Sequence, residues 1–206
     1  MCQPKTFLNI SVSYYLAEEI IIANGHDGRI FLKNTEVMKV EMKNKHLITT
    51  IKNCLPLVYP IDVFSAKAAY LSKSNTNIIC GGLNDGTKTS TRKCFQLNAA
   101  SVSWDEVNSM NIGRYDHAIT SIGQTLVTCG GATTSLQILS SCEKWTSGQW
   151  TSIQPLPIEL VAHCMLTIDN TTILVLGGYS KSRVRINQYF KKLNKKKYFN
   201  TSIFKF

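Results

Sequence analysis

Three short apolar runs in this chain each end in a pair of glycines, at nearly constant spacing. Ile78-Ile79-Cys80 leads into Gly81-Gly82, Leu126 to Cys129 into Gly130-Gly131, and Ile173 to Leu176 into Gly177-Gly178. The pairs start 49 and 47 residues apart. A weaker copy lies upstream, where Ile20 to Ala23 leads into Asn24-Gly25, 57 residues before the next. Self-similarity at a period near 50 restricts the fold more than any single motif does. Each unit must be one supersecondary element that cannot bury its faces alone and has to stack on its neighbours.

The rest of each unit reads as strands. Ala68 to Leu71, Ala118 to Ile122 and Cys164 to Ile168 precede the runs, joined to them by the polar turns Ser72 to Asn77, Gly123-Gln124 and Asp169 to Thr171. Two apolar stretches around a short polar turn predict a hairpin. A third strand with an aromatic is expected over Thr91 to Leu97 (Phe95), Ser140 to Thr146 (Trp145) and Arg183 to Phe190 (Tyr189). Trp104 to Val107 and Trp150 to Ile153 supply a fourth strand. No segment holds a helical period or good helix caps. The unit is therefore four antiparallel strands, and the fold is all-β.

The glycines let backbones approach closely and allow positive φ where a strand ends at a crowded centre. The aromatics fill the space between neighbouring units, each burying about 150–250 Å². The order of apolar strand, glycine pair, aromatic and tryptophan resembles the kelch repeat. Arg114-Tyr115-Asp116-His117 is similar to the kelch segment that opens the next unit. The resemblance covers about residues 66–180 and thins at both ends, where Asn24-Gly25 replaces a glycine pair and Leu160 to His163 carries no arginine. It implies a kelch-type β-propeller of about four four-stranded antiparallel blades, near 10–55, 62–113, 116–159 and 162–206. Kelch propellers commonly close with six blades, so an incomplete propeller is expected. The structural repeat positions are Gly81, Gly82, Phe95, Trp104, Gly130, Gly131, Trp145, Trp150, Gly177, Gly178 and Tyr189. Trp104-Asp105 does not make a WD40 unit, because Trp104 opens its strand and glycine pairs recur where that family has Gly-His.

The seven cysteines carry a second repeated signal. Cys80 precedes one glycine pair and Cys94 follows 14 residues on; Cys129 precedes the next pair and Cys142 follows 13 residues on. Strands two and three of a unit are neighbours, so each pair can face across a ladder at a separation that permits a disulfide. Buried free thiols would use the same positions. Disulfides are the expected state, and they imply an oxidising compartment. Asn9, Asn170 and Asn200 each begin an Asn-x-Ser/Thr triplet, which points the same way. No Cys-x-x-Cys or other short zinc spacing occurs.

The net charge of +10 is not spread over the chain. Residues 181–206 hold nine Lys and Arg and no acid, so the other 180 residues carry only +1 of the +10. This basic end, irregular over 191–206, is expected to be solvated, and no nucleic-acid partner is expected. No apolar run approaches the ~20 residues that span a bilayer. His117 and His163 occupy equivalent positions 46 residues apart, which predicts a structural role, capping a strand start or bonding to a neighbouring unit. No catalytic, cofactor-binding or metal-binding residue stands out. The acid pairs Glu18-Glu19 and Asp105-Glu106 read as solvent-facing, and there is no Gly-x-Ser-x-Gly elbow.

Function then follows from the resemblance. Kelch propellers usually bind proteins through loops on one face, so the expectation is a non-catalytic, extracellular protein-binding module. The loops expected to meet a partner are Leu83 to Ser90, Ala132 to Gln137, Met110 to Asp116 and Pro155 to Val161. Two alternatives stand beside it. One is an intracellular kelch-type substrate adaptor of a ubiquitin ligase. The other is a copper enzyme similar to galactose oxidase, which would need convergent histidines and tyrosines.

Overall fold

The computed structural model describes residues 11–14, 19–26, 31–43, 46–84, 86–98, 101, 103–180 and 203–205, and the side chains of those between 59 and 180. Every regular element among them is a β-strand. The first sheet is a meander of β1 (Ser11–Tyr14), β2 (Glu19–His26), β3 (Phe31–Lys43) and β4 (His46–Val58). Its strands run past the expected limit at residue 55, and its register slips between Ala23 and Gly25, where the other units have a glycine pair.

Next come β5 (Val63–Phe64), β6 (Lys67–Leu71), β7 (Thr76–Cys80), β8 (Leu83–Asn84), β9 (Thr89–Ser90), β10 (Cys94–Asn98) and β11 (Ser103–Val107). Strands β6, β7, β10 and β11 form the second sheet in that order, while β5, β8 and β9 make a small side sheet. The third sheet is β12 (Ala118–Ile122), β13 (Thr125–Cys129), β14 (Cys142–Thr146) and β15 (Gln149–Ile153). The fourth joins β16 (Cys164–Asp169), β17 (Thr172–Leu176) and β18 (Ile203–Lys205). All pairings are antiparallel, and no sheet among the described residues closes on itself.

Two strands begin later than expected. The third strand of the second sheet starts at Cys94 rather than Thr91, because residues 91–93 bond elsewhere. Arg114 and Met110 donate backbone N–H groups to the carbonyls of Thr91 and Arg92. In the third sheet the strand starts at Cys142, since the Ser140 carbonyl is taken by the Leu156 N–H. The strand expected at Arg183 to Phe190, with Tyr189, lies outside the described residues. Within the 191–206 end, expected to be irregular, Ile203–Lys205 forms β18 and pairs with β17.

The turns follow their residues. Gly123 takes φ +58 at the first position of the β12–β13 turn, which suits a type II′ hairpin. Ser147 and Gly148 both have positive φ between β14 and β15, as a type I′ turn requires. Strand β7 is buried along its whole length, the polar Thr76 and Asn77 as well as the apolar run Ile78 to Cys80, as expected of a strand covered on both faces.

The sheets stack through their faces. Strand β1 lies against β6, β6 against β12, and β12 against β16, so the first strands gather at one side of the stack. Between the second and third sheets, Ala69, Leu71, Ile78 and Cys80 pack with Ile119, Leu126 and Trp150. Between the third and fourth, Ala118, Val127, Cys129 and Cys142 pack with Met165, Ile173 and Val175. A third cluster under the second sheet holds Tyr59, Val63, Ala66, Ile79, Phe95 and Trp104. There Tyr59 meets Phe95 and Trp104 edge-on, with centroids 5.3 and 5.5 Å apart. No described helix is long and apolar enough to cross a membrane.

Candidate functional site

In each meander the β6–β7 and β10–β11 turns leave at one end. The β7–β10 loop and the connection to the next sheet leave at the other. The loops 83–90, 110–116, 132–137 and 155–161 therefore share one end of the stack. Direct bonds tie them. The Ser90 N–H donates to Thr134 Oγ1 at 2.8 Å, the Thr134 N–H donates to Ser90 Oγ at 3.1 Å, and the two hydroxyls lie 3.0 Å apart.

What positions these loops is a set of interlocks between sheets. The two glycines of each pair have positive φ, from +64 at Gly130 and Gly177 to +108 at Gly82. The Gly82 N–H donates to the Arg114 carbonyl, and the Gly131 N–H to that of Leu160. A Cβ on Gly81 would stand 2.5 Å from the Arg114 carbonyl oxygen and 2.7 Å from the His117 ring. A Cβ on Gly130 would stand 2.5 Å from the Leu160 oxygen and 2.6 Å from the His163 ring. The first glycine thus makes room for the opening segment of the next sheet. A further backbone link repeats, from the Asp116 N–H to the Ser65 carbonyl and from the Ala162 N–H to that of Asp116. Ser65, Asp116 and Ala162 all have positive φ, near +50°.

Arg114 and Glu143 form the polar centre of one interlock. Their ion pair is 2.8 Å long, with side chains 0% and 1% exposed. Arg114 also donates to the carbonyls of Gly130 and Ser141 at 2.8 and 3.0 Å. Glu143 accepts the N–H groups of Asn111 and Ile112 at 2.6 and 3.1 Å, pinning the 110–116 loop of one sheet to β14 of the next. Burial lowers the Arg114 pKa, and the Glu143 hydrogen bond and charge counter it. Trp150 Nε1 donates to the Asn108 carbonyl at 2.9 Å, another bond between these sheets. Arg114 was legible as the start of a repeat segment. Glu143 was missed, because a single acid in a strand carries no spacing signal.

The two disulfides are present, Cys80–Cys94 and Cys129–Cys142, each with Cα atoms 4.1 Å apart. Each joins residues directly opposite in the ladder. The neighbouring backbone bonds run from Gly81 to Lys93 and from Gly130 to Ser141. Cys164 is an exposed free thiol; the side chains of Cys2 and Cys54 lie outside the described set. Asn170 sits exposed in its turn, while Asn9 and Asn200 lie outside the described residues.

His117 and His163 pack rather than bond. Neither nitrogen of either ring has a hydrogen-bond partner. The Arg114 carbonyl is near enough to favour the charged form of His117, but not in hydrogen-bond geometry. Desolvation first, then the charges of Arg114 and Lys67, hold His117 well below the usual histidine range. His163 is pushed down to about 4 by burial, with Lys67 and Arg114 adding to it. Both rings border an open hollow of about 500 Å³ between β6, β12 and β16, but their nitrogens are buried away from it. Among the described residues no group of three or more His, Cys, Asp or Glu is placed to hold a metal ion.

At the loop end Lys88, Asp116 and Leu136 hold positive φ, and of these three Leu136 is the exposed large hydrophobic. Leu136 is 77% exposed and has φ +60. The Leu136 N–H donates to the Thr133 carbonyl, and the Thr133 N–H to that of Gln137, so the loop is a tight turn with a leucine at its left-handed position. Left-handed backbone costs a non-glycine residue about 1–2 kcal/mol. Ile158, in the neighbouring 155–161 loop, is also exposed. Of the other repeat residues, Phe95, Trp104 and Trp150 are buried, Trp145 is half-buried, and Gly177 and Gly178 have positive φ. No protein-family model matches this chain, and no curated protein matches it.

Proposed function

We propose that this chain is a kelch-type β-propeller module that binds a protein partner through the loop end carrying Leu136, in an oxidising compartment, without catalysis. The observation that carries the reading is Leu136 itself. An exposed apolar side chain in strained backbone, on a tight loop held by a rigid frame, is stabilising for nothing inside the chain. Such outliers gather at binding surfaces. Ile158 and the hydroxyl-rich 83–90 and 132–137 loops extend the same surface, and loops on a rigid scaffold are the usual carriers of recognition.

The propeller reading is supported by the repeated stacking of first strands and the repeated bond from glycine N–H to the next opening segment. The compartment is supported by two disulfides at equivalent positions in consecutive sheets. The buried Arg114–Glu143 pair is spent on joining sheets, and the loops on that rigid frame are the usual carriers of protein binding.

A photoreactive residue placed at Leu136 in protein expressed in its native source tests this. A defined partner cross-linked from position 136 and not from Ser101, on the turn at the opposite end, is expected. Equal labelling from both ends refutes the loop surface. Non-reducing peptide mapping tests the compartment. Free thiols at Cys80, Cys94, Cys129 and Cys142 would favour the intracellular adaptor instead.

A further inference from the structure

We infer that Asn170 carries an N-linked glycan, placed at the end of the stack opposite the Leu136 loops; this rests on the oxidising-compartment reading above. The triplet Asn170-Thr171-Thr172 has the acceptor pattern, an asparagine with a hydroxyl residue two positions on and no proline between. A triplet alone says little. The structure adds that this asparagine has no other task.

Three hairpins at this end carry an asparagine at or beside the turn. In the β6–β7 hairpin, Asn75 accepts the Tyr70 hydroxyl at 2.7 Å. At the end of β10, Asn98 donates to Asp105 at 3.0 Å and accepts the Ser101 N–H at 3.2 Å. The third is Asn170, in the turn between Asp169 and Thr172, which pair across the β16–β17 ladder. There the turn is held by its neighbour. Asp169 Oδ1 accepts the Thr171 N–H at 2.8 Å and the Thr171 hydroxyl at 2.9 Å, an Asx turn that makes no use of Asn170. Asn170 is exposed, and among the described residues its side chain takes no hydrogen-bond partner.

The sequence makes the same distinction. Asn75 is followed two residues on by Asn77, and Asn98 by Ala100, so neither bonded asparagine begins an acceptor triplet. The triplet falls on the free one. A sugar on Asn75 or Asn98 would have to displace a bond that shapes its turn, whereas a sugar on Asn170 displaces none. Ile168, two residues earlier, is 56% exposed, and a bulky, solubilising group beside it would lower the apolar surface that this end shows to water.

The donor class is a lipid-pyrophosphate-linked oligosaccharide, used by a transferase of the secretory compartment. The Asn170 Nδ2–carbon bond forms at the anomeric carbon of the first N-acetylglucosamine. The bond from that carbon to the pyrophosphate oxygen breaks, the lipid pyrophosphate leaves with the electron pair, and Nδ2 gives up one proton. Nothing is oxidised or reduced. Transfer takes place on the chain before it folds, so the folded turn need only leave the amide room and no duty, as this one does.

The test uses protein isolated from its native source, treated with peptide-N-glycosidase in heavy-oxygen water and mapped by mass spectrometry without reduction. The glycosidase hydrolyses a sugar-bearing asparagine to aspartate, so residue 170 is expected to gain one heavy oxygen that an untreated control lacks. Asn170→Gln and, separately, Thr172→Ala, expressed in the same source, are each expected to lose that sugar and to run faster on a denaturing gel. Asn170→Gln removes an exposed side chain that bonds to nothing described, and its disulfide map checks that it folds. An unmodified Asn170 in the native protein, or a sugar at residue 170 that persists in Thr172→Ala, would overturn the inference. The same map separates the two failures. Unmodified Asn170 with Cys80–Cys94 and Cys129–Cys142 intact leaves the compartment standing and removes the glycan alone; unmodified Asn170 with four free thiols removes both.

Discussion

Replacing Gly130 by alanine, alongside Gly123 by alanine, separates two reasons for a glycine. Both residues have nearly the same backbone, φ +64 and φ +58. Their surroundings differ. A Cβ on Gly123 meets nothing within 4 Å, whereas one on Gly130 meets the Leu160 carbonyl at 2.5 Å and the His163 ring at 2.6 Å. Gly123→Ala should therefore cost only the left-handed backbone term, about 1 kcal/mol. Gly130→Ala carries the same term and two more. If the Leu160 carbonyl retreats it loses the Gly131 N–H, and an unsatisfied buried group costs about 1–3 kcal/mol. If the His163 ring moves, it is driven into a packed interior at about 1–3 kcal/mol. The expected gap between the variants is at least about 2 kcal/mol, read from urea unfolding of the oxidised proteins with Gly148→Ala, φ +85 and equally open, as a second control. Equal losses at positions 130 and 123 would refute the claim that the first glycine makes room for the next sheet.

Four further outcomes follow from the same geometry. Glu143→Ala should cost about 3–5 kcal/mol, since it strands a buried Arg114 and two backbone donors; a loss under about 1 kcal/mol by urea unfolding contradicts the interlock. The folded pKa values of His117 and His163 lie below the ordinary histidine value, so the unfolded chain binds more protons between about pH 4 and 6.5. Stability should fall as pH falls through that window, by about 3 kcal/mol for His163 alone, and His163→Gln should flatten the slope measured by thermal unfolding. Cys80→Ser/Cys94→Ser should lose about 3 kcal/mol in the chain-entropy model for loops of this length, and an unchanged denaturation midpoint would show that the reduced chain is already constrained. Leu136→Gly should gain about 1 kcal/mol by relieving its φ while abolishing partner cross-linking from a photoreactive residue placed at the exposed Ile158; unchanged cross-linking removes Leu136 from the surface.

The glycine pairs, the hairpins around them and the cysteine pairs were legible because each is a local pattern that recurs. An apolar run, a turn residue and a glycine lie within a dozen positions, and two copies of a spacing are hard to produce by chance. The strand starts at Cys94 and Cys142 were not legible. They depend on where the carbonyls of Thr91, Arg92 and Ser140 find donors, and those donors sit 15 or more residues away. Glu143 shares that fate, because its partners Arg114, Asn111 and Ile112 come from the previous sheet's exit loop. The histidines were placed correctly in the repeat, yet their expected bonds are absent, since the space beside each ring is set by a glycine on another sheet.

Those misses share a cause that also explains how the repeat tolerates variation. Aligned on the ladder register, in which Lys67, Ala118 and Cys164 are equivalent, Val63, Arg114 and Leu160 correspond, as do Ala66, His117 and His163. The arginine is therefore not what the repeat requires. The Leu160 carbonyl accepts from Gly131 just as the Arg114 carbonyl accepts from Gly82, although one side chain is an aliphatic group and the other a buried cation. Ser65, Asp116 and Ala162 share no chemistry, but all hold positive φ and sit in the same chain of backbone bonds. What repeats at these junctions is main-chain geometry, which only the glycines report in the sequence. Side chains at the junction are then free to fill whatever volume remains, with Tyr59 and Phe95 beside Val63 and Ala66 under the second sheet and with Glu143 beside Arg114 under the third. Once the backbone fixes the spacing of the sheets, the loops at the far end of each junction carry no share of that work, and a strained residue such as Leu136 can persist there without loosening the frame.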